Sequence, residues 1–158
     1  MQLGMAGVAD IRAYLRIDDD LSTSGMPRAE QFADIAQAGF KLVINLALPT
    51  SDNALANEGE LVTRQGMSYL HIPVNFAHPS VEDFEHFTHL LSASAGQKVW
   101  VHCAANMRVS AFVFLHRLRT KSASRADAER DLRRIWEPED AWRDLVNAQL
   151  VKMGQNPL

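Results

Sequence analysis

The chain has 158 residues, 47% of them apolar and 22% charged, with a formal net charge of −3. That length suits one domain, 1–158, burying roughly 70% of its unfolded surface, and the weakly acidic balance gives no bulk attraction to nucleic acid or an anionic membrane. A single cysteine, Cys103, excludes an internal disulfide and any multi-cysteine metal site.

The opening "MQLGMAGVADIRAYLRIDDD" has no basic region followed by a long apolar run, so no signal peptide is expected. No apolar stretch approaches the ~20 residues needed to cross a bilayer. A cytoplasmic protein is the expectation, with its thiol reduced and available. No repeat, low-complexity tract or interdomain linker interrupts the chain.

In chain order, "RAEQFADIAQAGF" carries Phe32, Ile35 and Ala36 at helical spacing, with Gly39 as its C-terminal stop. "KLVINLAL" follows as a short, apolar, buried strand. "SDNALANEGELVTRQG" reads as a helix ending at Gly66, and "MSYLHIPV" as the next strand, with His71 inside it. In "HPSVEDFEHFTHLLSASAG", Ser80 and Asp83 form an N-cap pattern ahead of Phe84, Phe87, Leu90 and Leu91 on one face. "KVWVH" is the third strand. "RVSAFVFLHRLRT" starts apolar nearly all round, as a central buried helix does, and two more helices cover Ser124–Trp136 and Glu137–Met153. Trp100 and Phe112 read as core. Arg117 through Arg134 holds seven basic residues against three acidic ones and reads as a solvated helical face. Strand and helix alternate three times, which predicts an α/β fold with a mainly parallel sheet and flanking helices.

Cys103 falls just beyond the third strand and just before the buried helix. Open α/β sheets place ligand sites at such carboxyl ends, and unpaired N–H groups at the helix start favour an anion and a thiolate. Arg108 offers a planar fork to two oxygens of a phosphate-like group, Ser110 a hydroxyl for the sulfur, and Asn106 a tolerance of left-handed backbone. A free cysteine alone is ordinarily a small buried hydrophobe. With His102, Asn106, Arg108 and Ser110 at one strand–helix junction, the reading becomes anion binding or catalysis.

"HCAANMRVSAF" resembles the signature loop of the cysteine-dependent protein tyrosine phosphatase superfamily. More narrowly, the chain resembles a bacterial phosphatase-like domain family also found joined to metallo-β-lactamase-type hydrolases. "LSTSGMPRAEQFADIAQAGFKLVINLAL", "GMSYLHIPV" and "VHCAANMRVSAF" carry the resemblance, in order, over nearly the whole chain. It implies a three-layer cysteine-phosphatase fold and a two-step reaction. Cys103 attacks phosphorus, Arg108 and the loop amides hold the equatorial oxygens, and Ser110 helps expel the thiolate. His102 would hold the thiolate form, and Ala104, Ala105, Asn106 and Met107 would line the substrate cradle. "STSGMP" should lie near the same loop.

Two departures matter. The superfamily loop has five residues between cysteine and arginine, whereas here Ala104, Ala105, Asn106 and Met107 are four, the spacing of rhodanese-type sulfurtransferases. The superfamily's general-acid aspartate is also missing. Its expected place falls near Asn75, a substrate-side position that cannot supply a proton, so His78, Glu82 and Asp83 become the nearby substitutes, His78 and Asp83 foremost. The expected function is hydrolysis of phosphate monoesters, phosphotyrosine or another aryl phosphate, through a phosphocysteine. A persulfide-carrying sulfurtransferase and a non-catalytic anion-binding module are the alternatives. No cofactor or metal is implied. The expected partner is a phosphorylated small molecule or protein, with no nucleic acid and no membrane, and oligomeric state stays open.

Overall fold

The computed structural model describes residues 7–158. Its strands are β1 (Leu15–Arg16), β2 (Leu21–Ser24), β3 (Leu42–Asn45), β4 (Ser68–His71) and β5 (Val99–His102). Its helices are α1 (Gln31–Gln37), α2 (Glu58–Arg64), α3 (Val81–Ala93), α4 (Met107–Arg119), α5 (Arg125–Ile135) and α6 (Asp140–Lys152). The sheet runs β1-β2-β5-β3-β4; only β1 is antiparallel to its neighbour.

Period-two alternation in the central strands divides the core between two layers. Leu42 and Ile44 of β3, with Val99 and Val101 of β5, join the larger cluster with Phe84, Phe87, Phe112, Leu132 and Trp142 from α3 to α6. Val43 and Trp100 face the other way, onto Phe32, Ile35 and Val62 from α1 and α2. α4 meets α3, α5, α6 and β2, so it has no solvent face over most of its length, which accounts for its nearly continuous apolar run.

Two differences from the sequence reading have local causes. β2 was not expected, because "LSTS" is short and polar; its residues are nevertheless all buried, with Thr23 donating to the Leu15 carbonyl and Ser24 to the Gly25 carbonyl. The helix expected over "SDNALANEGELVTRQG" forms only at Glu58–Arg64, its first half being turns. The cap at Ser80 is real: its hydroxyl accepts the Asp83 N–H at 3.1 Å. The basic stretch after Arg117 is a largely solvated face, as expected, with Arg119, Lys121, Arg130, Arg133 and Arg134 exposed and only Arg117, on Asp131 at 2.6 Å, and Arg125, on Glu129 at 2.8 Å, partly covered. None of the helices among the described residues is long and apolar enough to cross a membrane.

Candidate active site

The cysteine loop lies at the carboxyl end of β5, between β2 and β3, which pair with it on either side. Both neighbours extend their hydrogen bonding into it. The Cys103 N–H reaches the Ser24 carbonyl at 3.4 Å, Met26 N–H donates to the Ala104 carbonyl at 3.1 Å, and Gly25 bridges Ala105. The Ser24–Met26 turn therefore abuts the loop. Gly25 has to be glycine, because a Cβ there would stand 2.7 Å from the Ala104 carbonyl oxygen. From the β3 side, the Asn53 side chain donates to that same carbonyl at 3.2 Å.

Asn106 closes the loop. It is fully buried and left-handed, with φ of 65°, and its carbonyl accepts the Ser110 N–H at 2.9 Å, starting the first turn of α4. Its side-chain N–H₂ donates to the Ala13 carbonyl at 2.9 Å and to Thr23 Oγ1 at 3.0 Å. The residue thus does two jobs. It turns the chain, and it ties the turn to the segment before β1 and to β2.

Cys103 is only 1% exposed, yet it lines an open recess of about 200 Å³ with Phe76, Ala104, Ala105, Met107 and Arg108. Arg108, 6% exposed, donates to the Val74 carbonyl at 2.9 Å and sits over the Phe76 ring, 5.7 Å from its centroid. The guanidinium is thereby held against the loop after β4, on the wall of the recess that holds the sulfur. The first N–H groups of α4 have no intrahelical acceptor.

Other expected site residues lie elsewhere. Ser110 does not reach the recess: its hydroxyl donates to the Met107 carbonyl at 3.0 Å, and it lines a separate small cavity with Thr23, Arg117 and Asp131. One helical residue turns a side chain by about 100°, and the four-residue Cys–Arg spacing puts Arg108 rather than Ser110 on the sulfur side. Asn75 is exposed and accepts the Ala77 N–H at 2.9 Å, while its carbonyl accepts the His78 N–H at 3.2 Å. His78 is exposed, and Asp83 is half-buried in the first turn of α3. None of these three lines the recess; from this loop Phe76 does. Phe76 is held by Trp142, whose indole N–H donates to its carbonyl at 2.7 Å.

Sequence reading missed Phe76, and it also missed Glu58. Glu58 opens α2, is 3% exposed, and meets fully buried His102, Oε2 to Nε2, at 2.5 Å. The other ring nitrogen of His102 lies 3.2 Å from the Cys103 carbonyl. Glu58 Oε1 accepts from Asn45 Nδ2, which also meets the Tyr69 hydroxyl at 3.0 Å. Burial pushes the Tyr69 phenol up to about 12, against the opposing pull of the Asn45 hydrogen bond. Asn45 and His102 are register partners on β3 and β5, so they share a face, and Glu58 spans both. Glu58 and His102 are 44 positions apart, so no spacing in the chain announces the pair.

A mainly parallel sheet flanked on both faces by helices, with a cysteine and an arginine lining one recess between a strand end and a buried helix, defines a phosphatase-like architecture. The family model described as a DSP-PTPase phosphatase fused to NAD+ kinase matches residues 18–146, and the chain belongs to this family of protein tyrosine phosphatase-like phosphatases. Among solved structures it is similar to a DUF442 phosphatase of Shewanella putrefaciens CN-32, 35% identical, with a TM-score of 0.84, covering 94% of this chain and 98% of that one. The core catalytic domain of the PP-IP phosphatase SIW14 from S. cerevisiae, 15% identical, shares the fold with a TM-score of 0.70 over 90% of this chain and 85% of that one. A β-lactamase hydrolase-like protein of Xylella fastidiosa is 28% identical over 95 residues, which are 58% of this chain but only 22% of that relative.

Proposed function

We propose that this domain hydrolyses phosphate monoesters through a phosphocysteine on Cys103, with a preference for aryl phosphates. The observation that carries the reading is the shared recess: the only cysteine and a buried arginine line one opening at the start of α4. The Cys103 thiolate attacks phosphorus and the bond to the leaving oxygen breaks; water then attacks the phosphocysteine, and the S–P bond breaks to return the thiolate. Arg108 and the first-turn amides of α4 stabilise the equatorial oxygens as charge builds on them.

The preference for aryl esters follows from the missing acid. With Asn75 turned onto the Ala77 N–H, and His78 and Asp83 outside the recess, leaving groups that depart without a proton are favoured. Phe76 and Met107 also border a second recess of about 400 Å³ lined by Trp136 and Trp142, with room for a flat apolar group next to the cysteine recess.

The test is turnover of an aryl phosphate without added metal, inhibited by vanadate and lost in Cys103→Ser. Arg108→Ala should weaken vanadate binding at least tenfold, the loss expected when a charge-assisted donor is removed. Thiocyanate formation from thiosulfate and cyanide with phosphate esters left intact would establish a persulfide carrier instead. Inertness in both assays, with phosphate raising Tm, would leave an anion-binding module.

A further inference from the structure

Two buried acceptors face the two ring nitrogens of His102: the Glu58 carboxylate at 2.5 Å and the Cys103 carbonyl at 3.2 Å. A neutral imidazole has one N–H, so it can donate to only one of them. The geometry is satisfied in two ways, as an imidazolium facing a carboxylate, or as a Glu58 hydroxyl donating to Nε2. Both place a proton on Nδ1, aimed at the Cys103 carbonyl. A ring carrying its proton on Nε2 alone would turn a lone pair against that carbonyl.

The surroundings make this selection firm. His102 is 0% and Glu58 3% exposed, so water does not replace either partner. Asn45 engages the second Glu58 oxygen at 3.2 Å, and the Asn45 side-chain oxygen accepts the Ala47 N–H at 2.8 Å, anchoring the group to the chain beyond β3. Asn45 and Glu58 also line a cavity of about 220 Å³ with Tyr69 and His71, which shares no lining residue with the cysteine recess.

We propose that Glu58 is a positioning residue: by fixing the proton on His102 Nδ1 it pins the Cys103 peptide and, with it, the direction of the sulfur. This rests on the reading of Cys103 as the nucleophile. Glu58 touches no substrate; it acts through His102. Reach matters more than charge, because a glutamine amide can also donate to Nε2 and leave Nδ1–H in place, whereas aspartate is one methylene short.

The experiment compares Glu58→Gln, Glu58→Ala and Glu58→Asp with wild type. The readouts are the His102 tautomer, from long-range ¹H–¹⁵N correlation, and kcat and KM for an aryl phosphate. In wild type and Glu58→Gln, Nδ1 carries a proton, and kcat agrees within about threefold; in Glu58→Ala and Glu58→Asp the ring shifts toward Nε2–H, and kcat falls about ten- to a hundredfold with KM little changed, the cost of a slightly misplaced nucleophile. If Glu58→Ala does not fold, Glu58→Asp carries the comparison. An unchanged tautomer in a folded Glu58→Ala or Glu58→Asp variant overturns the proposal, and so does a Glu58→Gln variant as slow as Glu58→Ala. Should wild type turn over no phosphate ester, the function proposed above fails, while the tautomer comparison still decides the role of Glu58.

Discussion

Replacing Asn106 by alanine tests the loop at the point where backbone and side chain contribute separately. Alanine loses the two donors to Ala13 and Thr23, at 2.9 and 3.0 Å, each worth about 1 kcal/mol net. It must also hold φ near 65°, which costs about 1–2 kcal/mol for a residue with a Cβ and no polar side chain to offset it. Against this, Asn106 Oδ1 is buried with no hydrogen-bond partner among the described residues, and removing it returns about 1 kcal/mol. The balance is a loss of about 2–3 kcal/mol, or about 5–10 °C in Tm for a domain of this size. Glycine loses the same hydrogen bonds but adopts the left-handed backbone freely, so Asn106→Gly should recover about 1–2 kcal/mol of the loss. Urea unfolding of both variants, with m-values compared, measures the two parts. An alanine variant within about 0.5 kcal/mol of wild type, or a glycine variant no more stable than the alanine one, would refute the reasoning.

Gly25→Ala should disturb the site more than the fold, because its Cβ would meet the Ala104 carbonyl oxygen at 2.7 Å and push on the loop that carries the sulfur. Vanadate affinity should fall at least tenfold while Tm drops by only a few degrees, for a cost of about 1–2 kcal/mol; calorimetry and inhibition kinetics check this. His116 tests pH dependence. Burial, reinforced by Arg119, pushes its imidazole down to about 4 from 6.5, and Thr88 occupies Nδ1 at 2.7 Å. Between those pH values the unfolded chain takes up a proton that the folded one refuses, so stability is full above about pH 6.5 and declines toward pH 4, by on the order of 2 kcal/mol. In His116→Gln the decline should be smaller by about that amount, as urea titrations of both proteins at pH 4.5 and pH 7 would read. Cys103→Ser should keep the fold and lose all aryl phosphate turnover, because the hydroxyl is a far weaker nucleophile at neutral pH.

What the amino-acid order determined by itself was local. Apolar runs of strand length, and helical spacing such as Phe84, Phe87 and Leu91, follow from which faces must leave water, and they placed β3, β4, β5 and the helices around them. The placement of Cys103 between a buried strand and a buried helix was equally legible, since it needs only neighbours in sequence. β2 was not, because "LSTS" has no apolar period; its burial comes from pairing with β5 and from hydroxyls that find carbonyls at Leu15 and Gly25. Tertiary structure alone decided which side chains meet the sulfur. The phase of α4 turned Arg108 toward it and Ser110 away, and the loop after β4 contributed Phe76 rather than Asn75, His78 or Asp83. Glu58 meets His102 only because α2 packs on β4 and its first residue reaches across β3 to β5, and a contact across 44 residues depends on how the layers stack, which no local pattern encodes.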